Sequence, residues 1–150
     1  MQYSADDLQK LDALEHVRSN PKMYTGLATP TAAVIAGAIA NDAIVLGASD
    51  TRVFPFNDWW IISADADWLN APCKCFAPPT EAFRRVLAFP EIGVNSMRHE
   101  ILATAFATSV VSLSPTDRFV VSGDVPDDDP VWGQMTGGNV LRAVAFRMVA

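Results

Sequence analysis

The run PTAAVIAGAIANDAIVLGA, residues 30–48, limits the possible folds more than any other stretch, because it is small and apolar almost throughout. From Thr29 or Pro30 to about Leu46 it reads as one helix, with proline at the start, where a missing N–H costs nothing, and Gly47 at the end. A helix with so little polar surface has to be covered by the rest of the chain. It is too short to cross a bilayer. The next segments, TRVFPF and WWIISAD, are β-branched and aromatic and flank Asn57 and Asp58, the pattern of a hairpin, with Pro55 marking an edge or a bulge.

The remaining elements complete the pattern. Leu8, Leu11, Leu14 and Val17 recur at helical spacing behind a Ser4 cap with Asp6 and Asp7 in the first turn, and that helix should stop before Pro21. Residues 65–79 hold Pro72, Pro78 and Pro79 and show no period, so they read as a loop. TEAFRRVLAF predicts a helix capped by Thr80 with Phe83, Val86 and Leu87 on its apolar face, and a further helix fits Asn95 to Thr108. SVVSLS, DRFVVSGD and VLRAVAFRMV predict three strands, the first two joined at Ser114 and Pro115, the last preceded by the acidic loop VPDDDPVWGQMTGG. Helices and strands in separate runs indicate an α+β fold, a two-layer sandwich with a mostly antiparallel or mixed sheet and helices on one face. Residues 1–150 are expected to form a single domain, with an N-terminal arm over about residues 1–26.

Half the residues are hydrophobic and 19% are charged, the reverse of a disordered composition. The net charge of -6 repels phosphate backbones and anionic lipid, so direct nucleic-acid binding and membrane association are not expected. The N-terminus has neither the basic nor the apolar part of a secretory signal, which leaves the cytoplasm as the expected location. Cys73 and Cys75 are separated by one residue, too close for an unstrained disulfide, and read as two free thiols in a loop. Zinc would need His16 and His99 as well, so no metal site is expected. Asp65, Asp67 and the run Asp127, Asp128 and Asp129 read as solvated loop carboxylates, and His99 with Glu100 as helix surface. Ser96 and Ser109 lack the His and Asp pattern of an activated nucleophile. Adjacent Trp59 and Trp60 must point to opposite faces of their strand, and whichever faces away from the helices becomes an interface anchor if nothing in the chain covers it.

The segment LEHVRSNPKMYTG, Leu14 to Gly26, resembles the opening of the ATPase domain of type IIA DNA topoisomerases, the gyrase B class of the GHKL superfamily. That family carries L-E-x-V-R-x-R-P-x-M-Y-I-G there. Leu14, Glu15, Val17, Arg18, Pro21, Met23, Tyr24 and Gly26 match, eight of the ten specified positions, while Asn20 and Thr25 depart. The preceding YSADDLQKLDA is similar to the family's arm, and Gly93 with Val94, and TGGNVLR before the last strand, agree in order.

The resemblance implies where ATP would sit and which groups would hold it. The family uses a glutamate base and an asparagine magnesium ligand on the long helix, a D-x-G-x-G turn after the hairpin, and a glycine-rich lid. With Asn41 and Asp42 aligned to the helix's later acidic pair, Val34 and Ala38 stand at the base and ligand positions. DADWL, residues 65–69, has Asp67 and Leu69 where glycines belong, and EIGVNSM keeps only Gly93 and Val94 of the lid. No catalytic residue and no cofactor are therefore expected. The expected function is a non-catalytic GHKL-like interaction module that engages a protein partner or a second copy. Tyr3, Arg18, Tyr24, Trp59, Trp60, Asp127, Asp128 and Asp129 are its interface candidates. Two alternatives stay open: weak ATP and magnesium binding through the remnant Asn41, Asp42, Asp65 and Gly93, and an acidic inhibitor or immunity-type protein that binds a basic partner.

Overall fold

A computed structural model describes residues 12–70, 79–93 and 96–148. Helix α1 spans Ala13–Ser19, capped by Asp12, whose carboxylate accepts the N–H groups of Leu14 and Glu15. It ends before Pro21, as expected, and the proline then opens a second short helix, α2, over Pro21–Thr25. Proline serves both roles because it excludes the helical conformation from the residue before it while its own φ suits a first helical position. Gly26 closes α2 at φ 78, a left-handed conformation that favours glycine. The expected arm upstream of Asp12, including the Ser4 cap, lies outside the described residues.

The alanine-rich run forms α3, Ala32–Val45, capped by the Thr31 hydroxyl. Its buried side carries Ile35, Ala36, Ile39, Ala40, Asp42 and Ala43. The helix is not enclosed all round, since Val34, Ile44 and Val45 are exposed. Strands β1 (Thr51–Phe56) and β2 (Trp59–Ala64) form the expected hairpin, turned at Asn57 with φ 53. Pro55 sits on an edge strand, where a sheet tolerates it.

A 3-10 turn at Pro79–Phe83 stands where the helix TEAFRRVLAF was expected. Val86, on the predicted apolar face, is exposed, whereas Phe89, off that face, is buried. Pro90 biases Phe89 away from helix, and the chain runs instead into an isolated antiparallel bridge between Ala88 and Met97. The following helix, α4, is also shorter than expected, Glu100–Phe106, and Asn95 lies outside the described residues. Strands β3 (Ser109–Leu113), β4 (Arg118–Ser122) and β5 (Arg142–Arg147) follow, with a four-residue helix α5, Val131–Gln134, inside the acidic loop.

The five strands lie in the order β1-β2-β5-β3-β4, and every neighbouring pair is antiparallel. The last strand thus enters between two hairpins. The fold is α+β, with α1, α3 and α4 over one sheet face, where Ile62, Ala64, Val110, Val144 and Phe146 meet Ile35, Ile39, Ile101 and Leu102. The opposite face is covered as well: Trp59, Ile61, Val111, Ala143 and Ala145 pack beneath Val125, Val131, Trp132 and Met135. The strand alternation predicted by period two is what sorts these residues to their two faces.

Candidate functional site

Between α3 and the turn after β2, the helix layer encloses a group of polar side chains. Asp42 projects from α3 into full burial, where its carboxylate accepts the His99 backbone N–H at 2.7 Å and lies 2.7 Å from His99 Nδ1. A carboxylate only accepts, so Nδ1 carries the proton. Arg98 Nε stands 3.7 Å from Asp42, its guanidinium lies over the Phe89 ring, and Nη2 is paired with Glu100. The Trp68 indole N–H, on a ring that is 0% exposed, donates to the same Glu100 oxygen at 3.0 Å. The local sequence explains this convergence. Arg98 and His99 immediately precede α4, whose apolar run from Ile101 to Ala105 draws the helix start into the core.

Burial sets the titration of this group. Glu100 is fully enclosed, and burial pushes its carboxyl above the ordinary range, opposed by the charge of Arg98. For His99, burial lowers the value, but the hydrogen bond to Asp42 and that residue's charge outweigh it, so the imidazole is raised above the ordinary 6.5. Glu100 Oε2, Arg98 Nε and Thr104 Oγ1 are buried without a hydrogen-bond partner among the described residues. The expectation that His99 and Glu100 form a helix surface is corrected: one is hydrogen-bonded to Asp42 and the other is core.

Asp67 is corrected in the same way. It is not a free loop carboxylate, because it forms one half of a clamp on Arg142, whose Nε and Nη2 donate to it at 2.8 and 3.0 Å. Asp117 takes Nη1 and Nη2 on the other side, and Ser112 accepts from Nη1. Burial raises Asp67, but its hydrogen bonds to Arg142 and Asn70 prevail and hold it below the usual carboxylate range. The arginine of TGGNVLR thus ties the start of β5 to the turn after β2 and to the β3–β4 turn.

The four remnant nucleotide positions are engaged separately. Asn41 is exposed while Asp42 is buried, so the two neighbours point apart. Asp65 Oδ1 accepts the backbone N–H groups of Ser49 and Asp50 at 2.8 and 3.0 Å, and these bonds, that of Asp50 foremost, lower its pKa. Gly93 closes a turn in which its carbonyl accepts from Ser96. Both oxygens of Asp42 are thus hydrogen-bonded to His99, and Oδ1 of Asp65 to the chain's backbone.

The interface candidates divide similarly. Arg18 Nε donates to the Ala105 carbonyl at 2.8 Å, and Nη2 to that of Thr104, capping the end of α4. The Tyr24 hydroxyl lies 2.7 Å from His16 Nδ1. The opening segment therefore braces α1 against α4 and α2 against α1. Trp59 is the tryptophan that faces away from the helices, but it is 2% exposed beneath the outer layer, with the Arg147 guanidinium over its ring, so it is not an open anchor. Trp60 faces the helices and is half-buried. Asp127 pairs with Arg118, Asp128 is exposed, and Asp129 accepts the Val131 N–H. Tyr3, Cys73 and Cys75 lie outside the described residues, among which no His, Cys, Asp or Glu group is arranged to hold a metal ion.

On the other sheet face, a cavity of about 390 Å³ opens between β1, β2 and residues 134–140, with Asp50, Arg52, Ser63 and Asp65 among its walls. A smaller one, about 260 Å³, lies across the same loop beside Leu113 and Pro115. Nothing in the sequence marks Arg98, Trp68, Arg142 or Ser63 as site residues by motif or spacing. For Arg98 a weaker signal exists, a basic residue two positions before a mostly apolar helix that opens with Glu100. No protein-family model, curated protein or solved structure matches this chain.

Proposed function

We propose that this chain is a non-catalytic interaction module, built on a scaffold similar to the GHKL ATPase domain of the gyrase B class, that does not hydrolyse ATP. One observation carries the reading: the space between α3 and the turn after β2 is taken up by Trp68, Arg98 and Glu100, which are buried and bonded to one another and to Asp42. A nucleotide entering there would have to displace an indole and separate buried charges, which costs several kcal/mol per ion. The absence of a glutamate base and an asparagine ligand on α3, at Val34 and Ala38, points the same way.

The partner is a protein or a second copy of this chain, and the acidic net charge favours a basic surface over nucleic acid. Two measurements test the reading. Melting of the full chain with and without millimolar magnesium ATP is expected to give one midpoint, whereas a ligand at about 100 times its Kd would stabilise by about 2.7 kcal/mol. Removing residues 1–11, which leaves the Asp12 cap in place, is expected to change the oligomeric mass or partner capture. An unchanged mass and unchanged capture would count against the arm as the contact.

A further inference from the structure

We propose that the cavity on the outer sheet face binds a small zwitterion, a free α-amino acid or a molecule with the same paired ammonium and carboxylate. The cavity lies on the opposite face from the plugged space beside α3, and of the four remnant nucleotide positions it is lined by Asp65 alone. Its walls carry both signs of charge. Asp65 contributes a carboxylate whose Oδ1 is fixed by two backbone N–H groups, while Oδ2 has no hydrogen bond among the described residues. Arg52 contributes an exposed guanidinium whose one described contact is Asp50 at 3.4 Å, which leaves most of its donors unused.

The floor is Ser63. It is 4% exposed, it faces outward by strand alternation between Arg52 and Ala143, and its hydroxyl has no hydrogen-bond partner among the described residues. A hydroxyl on a buried residue that opens into a cavity is left for water or a ligand to satisfy. The far wall is the turn Gly137–Gly138, at φ 120 and 54, and the N–H groups of Gly137, Gly138 and Asn139 have no acceptor among the described residues. Successive free amides in a turn form a concavity suited to a carboxylate. The volume is at the small end of the range for ligand clefts, roughly 300–1,000 Å³.

The charge arrangement selects the ligand class. A simple anion attracted to Arg52 and the glycine turn would face the carboxylates of Asp50 and Asp65. A simple cation would face Arg52. A molecule with both charges puts each beside its opposite, and like-charge juxtaposition rejects the others. Bound in this sense, the ligand carboxylate meets Arg52 and the Gly137–Gly138 amides, and the ammonium meets Asp65 Oδ2 and Ser63.

Calorimetric titration of the full chain with the proteinogenic amino acids, with alaninamide and with propionate tests this. Saturable binding of at least one amino acid is expected, with its amide and its deaminated acid each weaker by about tenfold or more. Asp65→Asn keeps an oxygen for the Ser49 and Asp50 N–H groups while removing the charge, and it should weaken binding by a similar factor, as should Arg52→Gln, the latter with unchanged melting. No binding of any amino acid at about 10 mM, equal binding of alaninamide or propionate, or full affinity in both variants would overturn the proposal.

Discussion

The two faces of this sheet are covered by different materials, and their polar groups meet different fates. On one face, α3 brings a row of alanines close to the strands, so that Asp42, Arg98 and Glu100 lose water and must find one another. On the other, a glycine-containing loop stands off the strands and leaves a cavity in which Arg52 and Asp65 stay within reach of solvent. Close helical packing converts polar residues into structure, because an enclosed charge is tolerated only when paired. A loose loop leaves them available to a ligand.

The comparison can be broken most severely at Trp68. Trp68→Ala removes the largest enclosed ring and the donor to Glu100, and should destabilise by about 3–5 kcal/mol in urea unfolding. A loss under about 1 kcal/mol would mean that the plug contributes little and that the space beside α3 is loosely held. Arg142→Met is expected to cost less, about 2 kcal/mol, below the figure for a wholly enclosed pair because Asp67 and Asp117 reach water. Asp67 is lowered in the folded chain, so its contribution is present above its ordinary 3.8 and is lost as pH falls through the folded value. Arg142→Met should reduce that acid-side loss to the part that the Asn70 hydrogen bond supports, as read from urea midpoints across pH.

A smaller effect concerns His99. Its raised pKa means that its contribution is complete below the ordinary 6.5 and is lost as pH rises through the folded value; the raised Glu100 contributes a decline in the same direction above its ordinary 4.5. His99→Asn, which keeps a side-chain donor toward Asp42, should flatten the decline above 6.5 without removing the earlier one. A variant with the same pH profile as the parent would show that His99 does not titrate with folding. Least of all, Asp127→Asn on the outer loop should leave the unfolding midpoint unmoved, since that carboxylate is exposed and its pair with Arg118 is at the surface.

The sequence revealed architecture more readily than environment. Two β-branched and aromatic runs flanking Asn57 and Asp58 placed the hairpin, strand alternation sorted Trp59 from Trp60, and the alanine run located α3 to within a turn. Such signals are local, and they read well because strand and helix periods are written along the chain. The failure at TEAFRRVLAF has a long-range cause: Phe89 is more valuable in the core than Val86, a fact fixed by Met97 and Arg98 across the bridge. The same limit applies to the site. Nothing local distinguishes a solvated Asp67 from one that holds Arg142, 75 residues away. Equally, no period announces that Asp42 will meet His99 across 57 residues. The outer cavity was illegible for a related reason, since it is defined by where a loop stops short of a sheet.

The central claim is that the helix-side space is occupied by the chain's own side chains. Titrating the folded protein with magnesium ATP while following the indole N–H resonances in solution tests it most directly. Trp68 should keep its resonance position and its slow solvent exchange at millimolar nucleotide, with no saturable shift. A saturable displacement of the Trp68 signal, accompanied by faster exchange of that indole proton, would contradict the account.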